Sequence, residues 1–215
     1  MKKISAFKTI FICVCALAVF SACSVVPAKS YSPTGNEYFS FVKVEGGYSV
    51  AAAEGAELPS VLRLPEEYEG EAVTEVAAKG FFKSGNVEKI YIPKSYYKIG
   101  DEAFSYMPDL KRVYVGTVGE KDARDVSIGW GAFLGDESSA LKSVDLADNV
   151  KEIGEYAFAW NKNLSSVTVG EGLETLADNA FEKSDNAVFS VDRFNRNFTI
   201  DENGKIIPKR TEGGE

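Results

Sequence analysis

The 215-residue sequence contains no histidine, and its three cysteines, Cys13, Cys15 and Cys23, are confined to its N-terminal end. Without imidazole the chain lacks the commonest general base and the commonest transition-metal ligand. That excludes Ser-His-Asp and Cys-His catalysis and every His-based zinc site. The cysteine spacing fits neither a disulfide scaffold nor a zinc site, so no metal and no cofactor is expected. Positive charge is also in short supply: 24 Lys and Arg stand against 32 Asp and Glu, for a net charge of −8. Nucleic acid is therefore excluded as a main partner, because phosphate binding draws on surplus Lys and Arg. Long hydrophobic runs are missing too. The apolar stretch from Thr9 to Phe20 is too short to cross a bilayer comfortably.

Carboxylates are the acid/base groups that remain. Glu66-Glu67, Asp101-Glu102 and Asp136-Glu137 are neighbours along the chain, whereas a glycosidase sets two carboxylates across a sugar-sized gap. Asp201-Glu-Asn203-Gly204 lacks the further oxygen ligands and the closing glutamate of a calcium loop. Gly129-Trp-Gly131 and Gly170-Glu-Gly172 lack the remaining glycines of a nucleotide loop. No enzyme is expected.

What is present begins with an address. Lys2, Lys3 and Lys8 precede the apolar run, and Ser21-Ala22-Cys23 follows it, so residues 1–22 read as an export signal. The end of that segment resembles a bacterial lipobox, with Phe20 standing where Leu is usual. The resemblance implies a lipidated Cys23, a membrane attachment through it, and an extracytoplasmic, surface-exposed chain. Plain secretion is the alternative and would leave Cys23 as a lone exported thiol. Residues 23–37 carry two prolines and small polar side chains, the composition of a flexible tether.

Beyond the tether, repetition dominates. Leu141-Lys-Ser-Val144-Asp-Leu146 recurs as Leu164-Ser-Ser-Val167-Thr-Val169, and each is followed at the same offset by a second block, Ile153-Gly-Glu-Tyr-Ala157-Phe158 and Leu176-Ala-Asp-Asn-Ala180-Phe181. Val87 to Pro93 with Ile99 to Phe104 keeps that offset; Leu110 to Val115 with Ile128 to Phe133 stretches it by a six-residue insertion within 116–126; Val61 to Pro65 with Val76 to Phe81 is a degenerate first copy. A fixed period means that each unit buries its apolar face by stacking on its neighbours.

These residues resemble the BspA-like leucine-rich repeats of bacterial surface proteins, over about residues 61–186. The resemblance implies a right-handed solenoid of about five repeats. Short parallel strands would form a concave sheet, the convex side would be irregular or briefly helical, and Phe104, Phe133, Phe158 and Phe181 would stack as a buried ladder. Hairpin signals at residues 38–60 and 187–215 flank the repeats and predict a cap at each end, the second ending in a loose tail. The resemblance also implies a non-catalytic cell-surface binding or adhesion module.

Strand alternation turns Arg63, Lys89, Tyr91, Arg112, Tyr114 and Asp145 outward on the concave face, with Ser143, Ser166 and Thr168 beyond them. Tyr and Arg are favoured at binding hot spots, which makes this face the candidate ligand surface. The plain alternative is that both tyrosines are good strand formers. The partner is expected to be a protein, from host matrix or another cell surface, or a glycan if Tyr91, Tyr114 and Asp145 converge on a cleft. A structural envelope role is the third reading. Trp130 and Trp160 are expected to be partly buried.

Overall fold

The computed structural model describes residues 32–116 and 123–209. Cys23, the export signal, most of the tether, the core of the insertion and the tail lie outside the described residues. The strands in chain order are β1 (Phe39–Val44), β2 (Gly47–Ala52), β3 (Val61–Arg63), β4 (Glu67–Tyr68), β5 (Glu71–Val76), β6 (Lys89–Ile92), β7 (Lys98–Ile99) and β8 (Arg112–Val115). They continue as β9 (Val126–Ile128), β10 (Ser143–Leu146), β11 (Val150–Ile153), β12 (Ser166–Val169), β13 (Thr175–Leu176), β14 (Phe189–Val191), β15 (Phe198–Ile200) and β16 (Ile206–Pro208). Among the described residues the one helical element is a 3-10 turn at Asn36–Tyr38.

The chain is a parallel β-solenoid. The Leu-x-x-Ile-x-Ile blocks pair as the concave sheet, in the order β14-β12-β10-β8-β6-β3. Each of its central strands alternates buried and outward residues, because successive side chains of a strand point to opposite faces. Ile90, Val113, Val144 and Val167 thereby fall on one inward rung and are fully buried. The start of each second block also pairs in parallel, in the order β2-β5-β7-β9-β11-β13. This second sheet faces the first across the core with Val50, Val76, Ile99, Ile128, Ile153 and Leu176 in register.

The rest of each second block is a turn without helix, and its phenylalanine points inward. Phe81, Phe104, Phe133, Phe158 and Phe181 stack with centroid separations of 5.0, 5.1, 5.0 and 5.2 Å. Phe39 and Phe189 close the column edge-on at its two ends. Backbone bonds carry the same register, from Phe104 N to the Ala132 carbonyl and from Phe133 N to the Ala157 carbonyl, both at 2.7 Å.

The glycine opening the block does not act as a bend. Gly129 and Gly154 have no left-handed φ. A Cβ on either would sit within 2.9 Å of the carbonyl oxygen of Ile99 or Ile128 in the preceding coil, so glycine is required for close approach. The left-handed positions come two residues later, at Glu102, Gly131 and Tyr156.

The two ends are finished differently. At the N-terminal end the β1-β2 hairpin extends the second sheet through the β2-β5 pairing. Thr34 meanwhile lies against β3: its N–H donates to the Arg63 carbonyl and its Oγ1 accepts from the Arg63 N–H, both at 2.9 Å. At the C-terminal end the buried Asn195 amide donates to the carbonyls of Gly170 and Leu173 and accepts from Asn197 N and Phe198 N. The β15-β16 hairpin follows. The return of the insertion is tied down by Asn149 Nδ2, which donates to the Arg124 carbonyl at 2.8 Å.

Candidate functional site

The register of the concave sheet sorts its outward side chains into two rows that cross the strands. One runs Arg63, Tyr91, Tyr114, Asp145, Thr168, Ser190. The other runs Val61, Lys89, Arg112, Ser143, Ser166. All six residues expected on the ligand face therefore lie there, close together at its N-terminal half.

Tyr91 and Tyr114 stack with centroids 4.5 Å apart and rings 3° from parallel. The Arg63 guanidinium lies over Tyr91 at 4.8 Å from its centroid, so cation, ring and ring form one pile held by strand spacing and cation–π attraction. Partial burial raises the pKa of Tyr91, and the neighbouring Tyr114 adds to this against the pull of Arg63. The hydrogen bond to the Tyr114 hydroxyl raises that of Arg112. Tyr91 thus presents a hydroxyl at neutral pH, and Arg112 stays charged. Asp145, next along the row, is raised by burial, opposed by a hydrogen bond from Thr168 and by the charge of Arg112.

Tyr91, Tyr114 and Asp145 lie side by side in one row across adjacent strands of the concave sheet. A groove of about 330 Å³ lies elsewhere, by Ser40, Ser49, Glu75, Lys98 and Asp101. Two of the acid pairs are engaged in local structure. Asp101 accepts from Trp130 N at 2.9 Å, and Glu102 pairs with Lys79 at 3.0 Å. Asp136 accepts from the hydroxyl and the N–H of Ser138, which lower its pKa. Asp201 accepts from Asn203 N and Lys205 N as a plain turn. Trp130 and Trp160 are 42% and 37% exposed, and Trp130 meets Tyr156 edge-on at 6.0 Å. Among the described residues no group of three or more His, Cys, Asp or Glu side chains is placed to hold a metal ion.

Residues 74–203 match the BspA type leucine rich repeat region, in six copies. The chain belongs to that family. No curated protein matches it. Among solved structures, a leucine-rich repeat protein from Eubacterium ventriosum aligns with a TM-score of 0.52 at 19% identity, over 81% of this chain and 47% of that one. The pneumococcal vaccine antigen PcpA aligns at 0.52 and 18% identity, over 83% of this chain and 53% of that one. The Treponema pallidum leucine rich repeat protein TpLRR aligns at 0.45 and 24% identity, over 75% and 84%. This BspA-type chain spans about half the length of the first two, and both share its fold. The fold is consistent with a binding or adhesion role and a surface-associated location.

The sequence did not single out Thr34, which pins the backbone of Arg63, or Thr168 as the hydrogen-bond partner of Asp145. A threonine in a polar tether carries no periodic signal. Thr168 becomes visible only once the register of β10 with β12 is known.

Proposed function

We propose that this chain is a lipid-anchored surface module, attached through Cys23, that binds a protein ligand with the N-terminal half of its concave sheet: Arg63, Lys89, Tyr91, Arg112 and Tyr114, with Asp145 at the boundary. The observation that carries the reading is the Arg63-Tyr91-Tyr114 pile on an open sheet face. Arg and Tyr concentrate binding energy when held rigidly, since little side-chain entropy is left to lose on association. The lipobox-like Ser21-Ala22-Cys23 supports the anchor.

The test is a binding screen of the full chain in detergent against arrayed matrix proteins and glycans. The quadruple variant Arg63→Ala, Tyr91→Ala, Arg112→Ala, Tyr114→Ala serves as comparison. A protein hit lost in a variant with native circular dichroism supports the concave face; a hit that survives moves the site elsewhere. Membrane fractionation of Cys23→Ser tests the anchor, the expected outcome being release from the membrane fraction.

A further inference from the structure

The concave face is a local exception to the charge of the molecule. Lys43, Lys79, Lys98, Lys111, Lys151 and Lys162 each lie within salt-bridge distance of a carboxylate. Arg63, Lys89 and Arg112, like Lys83, Lys142 and several other described cations, have no salt bridge among the described residues; what sets these three apart is that they share one face across three adjacent strands. Lys89 and Arg112 are directly paired in register, about 4.8 Å apart at the backbone. The chain as a whole carries a net charge of −8, so an anionic partner is repelled in general and attracted at this patch. Such a contrast fixes where and in what orientation a partner docks.

The rings narrow the choice of anion. A sugar is held by lying on an open aromatic face. Here one face of Tyr91 is covered by Arg63 and the other by Tyr114, while Tyr114 is followed along its row by Asp145. What the pile presents outward is ring edge and hydroxyl. The edge of an aromatic ring is the positive end of its quadrupole, and the phenolic hydroxyl donates a hydrogen bond, so both complement carboxylate oxygens. Arg63 and Arg112 add forked donors suited to carboxylates. An extended polypeptide repeats its same-side groups about every 6.8 Å, a spacing that jointed Arg and Lys side chains can follow across the strands. Asp145 ends the patch and would repel an acidic chain that ran further.

We propose that the concave sheet takes an extended acidic polypeptide segment, its carboxylates on Arg63, Lys89 and Arg112 and its path bounded by Asp145. The proposal rests on the concave sheet being the binding surface and names the chemistry of the ligand.

The probe is fluorescently labelled poly-L-glutamate, titrated onto the full chain in detergent at low and at high salt, with a heparin fragment and a neutral cello-oligosaccharide alongside. Poly-L-glutamate is expected to bind and to weaken as salt rises. Arg63→Gln with Arg112→Gln should weaken it by about tenfold or more, as loss of two charge-assisted contacts requires, and Asp145→Asn should tighten it. Native circular dichroism of each variant shows that the fold is kept. No binding of poly-L-glutamate, or binding indifferent to the double variant, overturns the proposal. Heparin bound without poly-L-glutamate overturns it in favour of an anionic glycan. Should poly-L-glutamate fail while a protein hit from the screen is still lost in Tyr91→Ala with Tyr114→Ala, the acidic partner falls and the concave binding surface stands. A hit indifferent to the quadruple variant removes both.

Discussion

Two aromatic columns run along the solenoid, one inside and one outside. Phe81 to Phe181 stack in five successive coils at about 5 Å, whereas Tyr91 and Tyr114 stack at 4.5 Å in two coils and then give way to Asp145 and Thr168. The same coil-to-coil spacing produces both, so stacking geometry alone does not tell core from site. Persistence does. A buried position is filled in every coil because each vacancy would leave a cavity, while an outward position is free to change from coil to coil. The coil at which it changes marks where the surface becomes particular.

The difference should be sharpest in stability. Phe133→Ala opens a cavity in the middle of the inner column and is expected to cost about 3–5 kcal/mol in urea unfolding. Tyr114→Ala, on the solvent side, should cost about 1 kcal/mol or less and show itself in ligand binding. Equal losses would mean that the outer pile is part of the core. Gly129→Ala probes the spacing that both columns share: its Cβ would meet the Ile99 carbonyl oxygen at 2.9 Å, and overpacking there should cost about 1–3 kcal/mol. A neutral result would show that the coils can part without loss.

Smaller effects test the turns and the end of the tyrosine row. Lys183 is exposed in the turn after Phe181 with φ 59°. Lys183→Gly should raise stability by about 0.5–1 kcal/mol by relieving the left-handed conformation, with thermal unfolding as the readout. Asp145 has the smallest expected effect. Its pKa is raised in the fold, chiefly by burial, so the folded chain holds that proton more tightly than the unfolded chain. Stability therefore falls as pH rises from the ordinary aspartate value of about 3.8 through the raised folded value. Asp145→Asn should flatten that part of the profile. Asp201 has the opposite sign: hydrogen bonds from Lys205 N and Asn203 N lower its pKa, so its contribution is present above the ordinary carboxylate range and is lost as pH falls through the lowered value.

Much of this was legible in the sequence because the two blocks repeat in register. The concave strands follow from alternation in Ile90-Tyr91-Ile92 and its counterparts, and the phenylalanine ladder follows from one residue type at one offset. The second sheet was not legible, since strands as short as Lys98–Ile99 and Thr175–Leu176 offer too few residues for a period to show. The role of Gly129 and Gly154 was not legible for a related reason: sequence reveals that a glycine is needed, but whether for its φ or for its missing Cβ depends on what the preceding coil brings near. Asn161 and Asn195 carry no periodic signal in the sequence. Each is in fact buried and fully engaged, Asn161 Nδ2 reaching the carbonyls of Phe133, Phe158 and Ala159. Among the six expected ligand-face residues, placement came from strand period, and the sandwiching of Tyr91 came only with the register.

The fastening of Thr34 on Arg63 has a mechanical consequence. Among the described residues, a pull on the chain from its N-terminal side first meets these two hydrogen bonds, on the edge strand that also carries the first cation of the outer pile. Tension there would reach Arg63 before it reached the β1-β2 hairpin, so the grip of the concave face and the load on the chain are borne by the same residue.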